Sequence, residues 1–215
     1  MKLGRPEQFH DKFALRMRSI ERSIAQYQFS AAALRKPFES TLDEHTALLL
    51  KGFGNDVNLL AAIRELLFPS RELLDAYLGR IAASTASSGT QTARDLVPFL
   101  KRLLAGDYDK MKQPIFDFLK MNASYVFHIR KFRNQIKTDP SSAEFNFNTD
   151  HFEMRMSLPV KAEDEAILPH LEIANLDEAL RNRRYMSTLN LDVYFPEMLQ
   201  FWRAFQSVYQ ESYAL

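Results

Sequence analysis

Apolar residues recur every three or four positions over most of the first 140 residues. This spacing places them on one side of an α-helix, with polar residues on the other side. The longest such segment runs from Glu7 to about Lys36, where Pro37 is expected to end the helix. Its apolar stripe consists of Phe9, Phe13, Met17, Ile20, Ile24, Tyr27 and Ala31. The pattern predicts a helical bundle over residues 7–140.

Breaks in the pattern divide the remainder of this bundle into further helices. The predicted helices cover residues 42–51, 56–67, 70–81, 95–104 and 114–138. We expect Phe68-Pro69 to close one helix and Ser70 to cap the next, because proline cannot donate the helical hydrogen bond and serine can accept one at a helix start. Residues 83–90 are small and polar, which predicts a loop.

Polar and apolar residues alternate in two segments after the bundle, residues 144–148 and 151–158. Alternation with period two is typical of a strand with one buried face, so it predicts a β-hairpin over residues 144–158. A two-stranded hairpin is not stable by itself and must pack on the helices. We therefore expect a single mainly helical domain over residues 1–215, with the hairpin as an insertion.

The segments after the hairpin return to helical spacing. Residues 161–165 are charged and expected to be exposed, and Asn175 could cap a short helix through Leu180. A C-terminal helix is predicted over residues 191–213. Its expected core side carries Phe195, Met198, Leu199, Trp202, Phe205 and Tyr209.

Composition places the chain among ordinary globular proteins, since 46% of its 215 residues are hydrophobic and 26% are charged. The net charge of +1 argues against a general nucleic-acid coat protein but permits a local basic site. There are no cysteines, which excludes disulfides and thiol chemistry and fits a reducing compartment. No apolar run approaches the length of a membrane span, and the N-terminus lacks the apolar core of a secretory signal. We expect a cytoplasmic protein with no membrane partner.

Most enzyme motifs are missing from the sequence. It contains no Gly-rich phosphate loop, no dinucleotide fingerprint and no His-Glu-x-x-His. The five histidines are scattered, and no two are three or four residues apart as a helical metal site requires. We therefore expect neither a metal site nor a cofactor.

Residues 125–138, at the end of the last bundle helix, carry two contrasting faces. The apolar face consists of Tyr125, Ile129, Phe132 and Ile136. The basic face consists of Arg130, Arg133, Asn134 and Lys137. Guanidinium groups match phosphate oxygens, so this face could hold a phosphate or an acidic partner. Cations near a helix C-terminus also complement the helix dipole, so a solvated capping role stays open. Three carboxylates could pair with Arg133 across the bundle: Glu65, Glu72 and Asp75.

The six residues from Arg133 to Thr138 resemble the signature of HEPN domains, in which an arginine and a polar residue near the end of a late helix precede a histidine. The resemblance implies a small helical bundle. Many HEPN domains are RNases in which the arginine and histidine of two protomers meet at a dimer interface. Here Thr138 stands where the histidine is expected, and a threonine hydroxyl does not transfer protons near neutral pH as histidine does.

We therefore expect a HEPN-like binding or interaction module without robust catalysis. Arg133 and Asn134 would organise its site, with Arg130, Lys137 and His128 at the margin. The expected partners are RNA or a nucleotide, another protein, and a second copy of the chain in a homodimer. One alternative is a metal-independent RNase whose acid–base group is relocated, either to His128 or to a partner chain. Another is a purely structural helical protein whose basic face is solvated.

Overall fold

The computed structural model describes residues 6–39, 55–85, 96–106, 111–148, 151–171 and 173–213. The fold is mainly helical and includes a small three-stranded antiparallel sheet. The predicted helix over residues 42–51 and the end of the predicted loop, residues 86–90, lie outside the described residues. Residues 83–85 are helical, so the loop prediction is wrong there. In chain order the elements are α1 (Pro6–Glu39), α2 (Asn55–Thr85), α3 (Leu96–Leu104), α4 (Gln113–Met121), α5 (Ala123–Thr138), β1 (Ala143–Asn148), β2 (His151–Pro159), α6 (Leu176–Asn182), β3 (Arg184–Asn190) and α7 (Leu191–Tyr213).

Helix α2 continues through Phe68 and Pro69, so the predicted break at these residues is wrong. Proline removes one helical hydrogen bond, at a cost of roughly 3 kcal/mol in a helix interior. The turns on both sides of Pro69 nevertheless bury their leucines against the core: Leu66, Leu67, Leu73 and Leu74. This burial keeps the helix continuous. Ser70 is therefore not a cap, and its Oγ donates to the Leu66 carbonyl at 2.7 Å. Helix α1 likewise passes Pro37 and ends at Glu39.

The predicted helix over residues 114–138 is two helices, α4 and α5, separated at Asn122. Asn122 leaves the helical conformation, with φ −101° and ψ 18°. Its side-chain Nδ2 donates to the Phe118 carbonyl at 2.8 Å, which satisfies an acceptor at the end of α4. Pro114 lies in the first turn of α4, as expected.

The hairpin is confirmed, with β1 and β2 paired from Ala143↔Met156 to Asn148↔His151. The sequence analysis missed β3, which pairs with the other edge of β2 and makes the strand order β1-β2-β3. Tyr185 is the only buried side chain of β3. The sequence of the strand does not alternate, because apolar Met186 follows Tyr185 and polar Thr188 follows Ser187. Helix α6 follows Asn175 and ends at Asn182, close to the predicted short helix.

Helix α7 covers residues 191–213 as predicted and packs against α1, α4 and the sheet. Trp202 and Phe205 are fully buried, and the Phe195 ring stacks on Tyr27 of α1 with 4.3 Å between ring centroids. Tyr77 of α2 lies 4.8 Å from the Phe205 ring. The expected core side is buried except for Leu199, which is half-buried. The aromatic side chains of α7 therefore join the N-terminal helices to the sheet.

Candidate anion-binding site

Three arginines come together where α5 crosses α2. Arg130 and Arg133 lie on the side of α5 that faces α2, and Arg71 lies on α2 with only 9% of its surface exposed. Burial, together with the positive charges of Arg130 and Arg133, lowers the pKa of Arg71 to about 10. An effect of this kind requires the three guanidinium groups to be close to one another. We call Arg71, Arg130 and Arg133 the arginine cluster.

The arginine cluster is short of hydrogen-bond acceptors. Arg71 forms an ion pair with Asp75 on the next turn of α2. In contrast, Nη1 of Arg130 and Nε of Arg133 are buried and have no hydrogen-bond partner. Arg133 uses Nη1 to donate to the Asn134 side-chain oxygen at 3.2 Å. A buried donor without an acceptor costs about 1–3 kcal/mol, and more if it is charged. An anionic oxygen at this position would remove that cost.

Phe68 connects the arginine cluster to a second group of cations. The Arg133 guanidinium lies over the Phe68 ring, 4.9 Å from its centroid, and Arg64 lies 6.0 Å from it. Beside Phe68 is a groove of about 410 Å³ between α1 and α2. Its charged lining consists of Arg16, Arg22, Arg64, Glu65 and Glu72. Because Glu72 pairs with Arg16, the groove keeps a net positive lining.

The other predicted site residues on this face are exposed. Asn134 and Lys137 both lie at the surface of α5, and Asn134 contacts Arg133 only as described above. The carboxylates considered as partners for Arg133 are placed differently. Asp75 pairs with Arg71, Glu72 pairs with Arg16, and Glu65 is exposed.

His128 lies on the other side of α5, about 140° around the helix axis from Arg133. Its Nδ1 is 2.9 Å from the Ser124 carbonyl and its Nε2 is 3.1 Å from the Tyr185 hydroxyl. Because a carbonyl can only accept, Nδ1 donates and Nε2 accepts from Tyr185. Burial lowers the pKa of His128 to about 4, and the nearby charge of Lys131 contributes. His128 is therefore neutral at physiological pH and does not join the arginine cluster.

Lys131 and Asp164 form a buried ion pair that the sequence analysis did not find. Asp164 is 1% exposed, so the prediction that residues 161–165 are all exposed is wrong at this position. Lys131 also donates to the Pro159 carbonyl at 3.0 Å, and Asp164 accepts from the Lys161 backbone N–H at 2.7 Å. Burial lowers the pKa of Lys131, while Asp164 opposes that change. The ion pair between Lys131 and Asp164 therefore connects α5 to the turn after β2.

Comparison with models of protein families, with curated proteins and with solved structures finds no match. Within the described part of the chain, no helix is long and apolar enough to cross a membrane. The same residues contain no group of three or more histidine, aspartate or glutamate side chains arranged to hold a metal ion.

Proposed function

We propose that the chain is a HEPN-like helical binding module that contacts RNA or a nucleotide through phosphate oxygens at Arg130 and Arg133. The observation that carries the proposal is the pair of buried guanidinium nitrogens, Nη1 of Arg130 and Nε of Arg133, that have no acceptor. The motif resemblance over residues 133–138 supports the same class of protein. The proposal also includes a homodimer, a further protein partner and a cytoplasmic location.

The electrostatics of the arginine cluster favour an anionic ligand. Two buried N–H groups without partners and three neighbouring positive charges both destabilise the ligand-free protein. A phosphate supplies several acceptor oxygens and negative charge at once, and arginine binds it through paired hydrogen bonds. The groove beside Phe68 adds Arg22 and Arg64 for a longer phosphate backbone.

The position of His128 supports binding rather than catalysis. A general acid or base works best with a pKa near the operating pH, and burial holds the pKa of His128 at about 4. Both ring nitrogens already have partners, Ser124 and Tyr185. His128 also points away from the arginine cluster. These observations favour the non-catalytic module over an RNase that relies on His128.

The proposal is tested by titrating the purified protein into fluorescently labelled single-stranded RNA and measuring anisotropy. We expect Arg130→Gln and Arg133→Gln each to weaken binding roughly tenfold, because each removes a charge-assisted contact to phosphate. The matched control is Arg155→Gln, which removes the same charge from an exposed position on β2. Equal affinities for all four proteins would contradict the proposal and favour the purely structural alternative.

A second measurement addresses catalysis directly. The same RNA is incubated with the protein in the presence of a chelator, and the products are separated by electrophoresis. We expect no cleavage above the background of the Arg133→Ala variant. Metal-independent cleavage that Arg133→Ala abolishes would overturn the non-catalytic assignment, and loss of such cleavage in His128→Ala would identify the relocated acid–base group.

A further inference from the structure

The groove between α1 and α2 leaves one aromatic ring partly uncovered. Its volume of about 410 Å³ lies within the range of about 300–1,000 Å³ that is typical of ligand sites. Phe68 lines this groove and is half-buried, so part of its ring borders the open volume. The core rings of Phe127, Phe195 and Phe205 are in contrast 0% exposed. A ligand in the groove can therefore contact Phe68 without any change in the core.

Two arginines contact the Phe68 ring, and only one of them belongs to the groove. The Arg133 guanidinium lies over the ring, 4.9 Å from its centroid, but Arg133 is not among the described residues that line the groove. Arg64 lies 6.0 Å from the same centroid and does line the groove. Arg133 therefore contacts the ring from the side of α5, and Arg64 is the guanidinium on the groove side.

Arg64 covers the groove side of the ring only weakly. Its side chain is exposed, and 6.0 Å is the outer limit of a cation–π contact. An exposed contact of this kind contributes little, because water solvates the guanidinium equally well. A nucleobase is planar and has a larger face than a guanidinium, so it can replace Arg64 on the Phe68 ring. The displaced guanidinium is then able to bind a phosphate of the same strand.

The charges of the groove suit a phosphate backbone beside that base. Arg22 on α1 and Arg64 on α2 are both exposed and line opposite walls. Glu72 is held by Arg16 in an ion pair, and Glu65 is the other carboxylate of the described lining. The groove therefore keeps an excess of positive charge next to the ring.

We infer that the ligand of the proposed function is single-stranded RNA, one unpaired base of which stacks on Phe68 in this groove. The inference rests on the proposed function, because the strand also has to reach the arginine cluster with its phosphates. Arg133 connects the two places, since it belongs to the arginine cluster and lies over the Phe68 ring. A base within a double helix is stacked between its neighbours, so only an unpaired base can lie on the ring.

The test compares three labelled ligands by fluorescence anisotropy. They are an RNA strand of about twelve nucleotides, the duplex of this strand with its complement, and a strand of the same length without bases. A duplex carries more phosphate charge per unit length than a single strand, so phosphate contacts alone would favour the duplex. We expect the single strand to bind roughly tenfold more tightly than either of the other ligands, which is the order of magnitude for one stacked base.

Phe68→Leu keeps an apolar side chain and removes the aromatic face. We expect it to weaken binding of the base-bearing strand roughly tenfold and to leave binding of the abasic strand within about twofold of wild type. Phe68→Trp keeps an aromatic face and should retain the preference for the base-bearing strand. The matched control is Phe116→Leu on α4, because Phe116 is also half-buried with a cation over its ring, Lys120 at 5.8 Å, and lies outside the groove lining. It should bind all three ligands as wild type does.

Three results would overturn the inference. In the first, Phe68→Leu binds the base-bearing strand as tightly as wild type. In the second, Phe68→Leu weakens the base-bearing and abasic strands equally, which would mean that Phe68 only positions Arg133. In the third, wild type binds the duplex as tightly as the single strand. Circular dichroism on every variant checks that the helices are retained.

Arg133→Gln separates this inference from the proposed function. If Arg133→Gln weakens binding while any of the three contrary results is obtained, the phosphate site stands and only the stacking role of Phe68 is lost. If wild type binds none of the three ligands, the proposed function fails and the inference fails with it.

Discussion

The indole Nε1 of Trp202 donates a hydrogen bond to Oγ of Ser70 at 3.0 Å. The two residues are 132 positions apart in sequence and both are fully buried. Ser70 is able to accept because its own hydroxyl proton goes to the Leu66 carbonyl at 2.7 Å. The serine that follows Pro69 thus satisfies the only polar atom of the largest core side chain, and it connects α2 to α7.

Replacing Ser70 by alanine should lower the free energy of unfolding by about 1–3 kcal/mol, because the buried indole N–H then has no acceptor. Urea denaturation followed by tryptophan fluorescence measures this change. The control is Ser23→Ala, since Ser23 is equally buried but its Oγ only donates to the Ile20 carbonyl at 2.7 Å. The control should cost less. A Ser23→Ala effect as large as that of Ser70→Ala would contradict the role assigned to Trp202.

Replacing Lys131 by methionine should lower the free energy of unfolding by about 3–5 kcal/mol, because Asp164 then remains buried without its counter-charge. Thermal unfolding by circular dichroism measures this loss. The control is Lys137→Met on the same helix, an exposed position where a change within about 0.5 kcal/mol is expected. The double variant Lys131→Met/Asp164→Leu should recover much of the lost stability. A double variant no better than Lys131→Met would show that the ion pair is not the cause.

The stability of the protein should decrease between pH 6.5 and pH 4 because of His128. Its pKa is about 4 in the folded protein and 6.5 when exposed, so the unfolded chain binds more protons in this interval. The contribution is therefore fully present above pH 6.5 and is lost as the pH falls toward 4. Its full size is about 3–4 kcal/mol, since the pKa falls from 6.5 to about 4 and each pKa unit corresponds to about 1.4 kcal/mol.

Urea denaturation at a series of pH values measures this dependence. In His128→Gln the decrease should be smaller by that amount, because the variant has no titrating group at this position. The control is His170→Gln, which changes an exposed histidine and should keep the wild-type decrease. Identical pH profiles for wild type and His128→Gln would contradict the buried, neutral state of this imidazole.

Arg130→Met should raise the free energy of unfolding in dilute chloride buffer by about 1 kcal/mol. The change removes a buried nitrogen without a partner and one positive charge near Arg71, and it keeps an apolar side chain of similar length. Differential scanning calorimetry at low ionic strength checks the sign. A destabilised Arg130→Met variant would mean that Arg130 has a stabilising acceptor in the ligand-free protein.

Phosphate should stabilise the wild-type protein more than chloride does at equal ionic strength, because only phosphate supplies acceptors to Arg130 and Arg133. Phosphate also stabilises most proteins by exclusion from their surface. The difference in melting temperature must therefore be compared with that of Arg133→Gln, which should lose the specific part, and of Arg155→Gln, which should keep it. Equal differences in all three proteins would count against a phosphate site.

The helical parts of the fold could be predicted wherever one apolar stripe repeats over several turns, as in α1 and α7. The hairpin could be predicted because its alternation is regular. Strand β3 could not be predicted because its sequence does not alternate: Met186 follows Tyr185, and Thr188 follows Ser187. The predicted break at Pro69 is wrong because burial of the leucines on both sides of Pro69 outweighs the hydrogen bond that proline removes. Tertiary packing decided that position, and periodicity alone does not report packing.

Only the part of the candidate site that lies on α5 could be predicted from the sequence. Arg130 and Arg133 were found from their spacing on α5, but Arg71 was not, because only the fold brings α2 beside them. The burial of Lys131 could not be predicted for the same reason, since its partner Asp164 is 33 residues away in sequence. The available signal was Phe127, four residues earlier on the same face, whose ring lies 5.3 Å from the Lys131 ammonium.

The position of α7 in the chain determines when the core can form during translation. Trp202, Phe205 and Tyr209 occupy the centre of a core whose other walls, α1 and α2, are synthesised first. Until these aromatic residues leave the exit tunnel, the apolar faces of α1 and α2 in the nascent chain remain exposed. The core therefore closes only after α7 has been synthesised, and chaperones can engage the chain in the interval between α2 and α7.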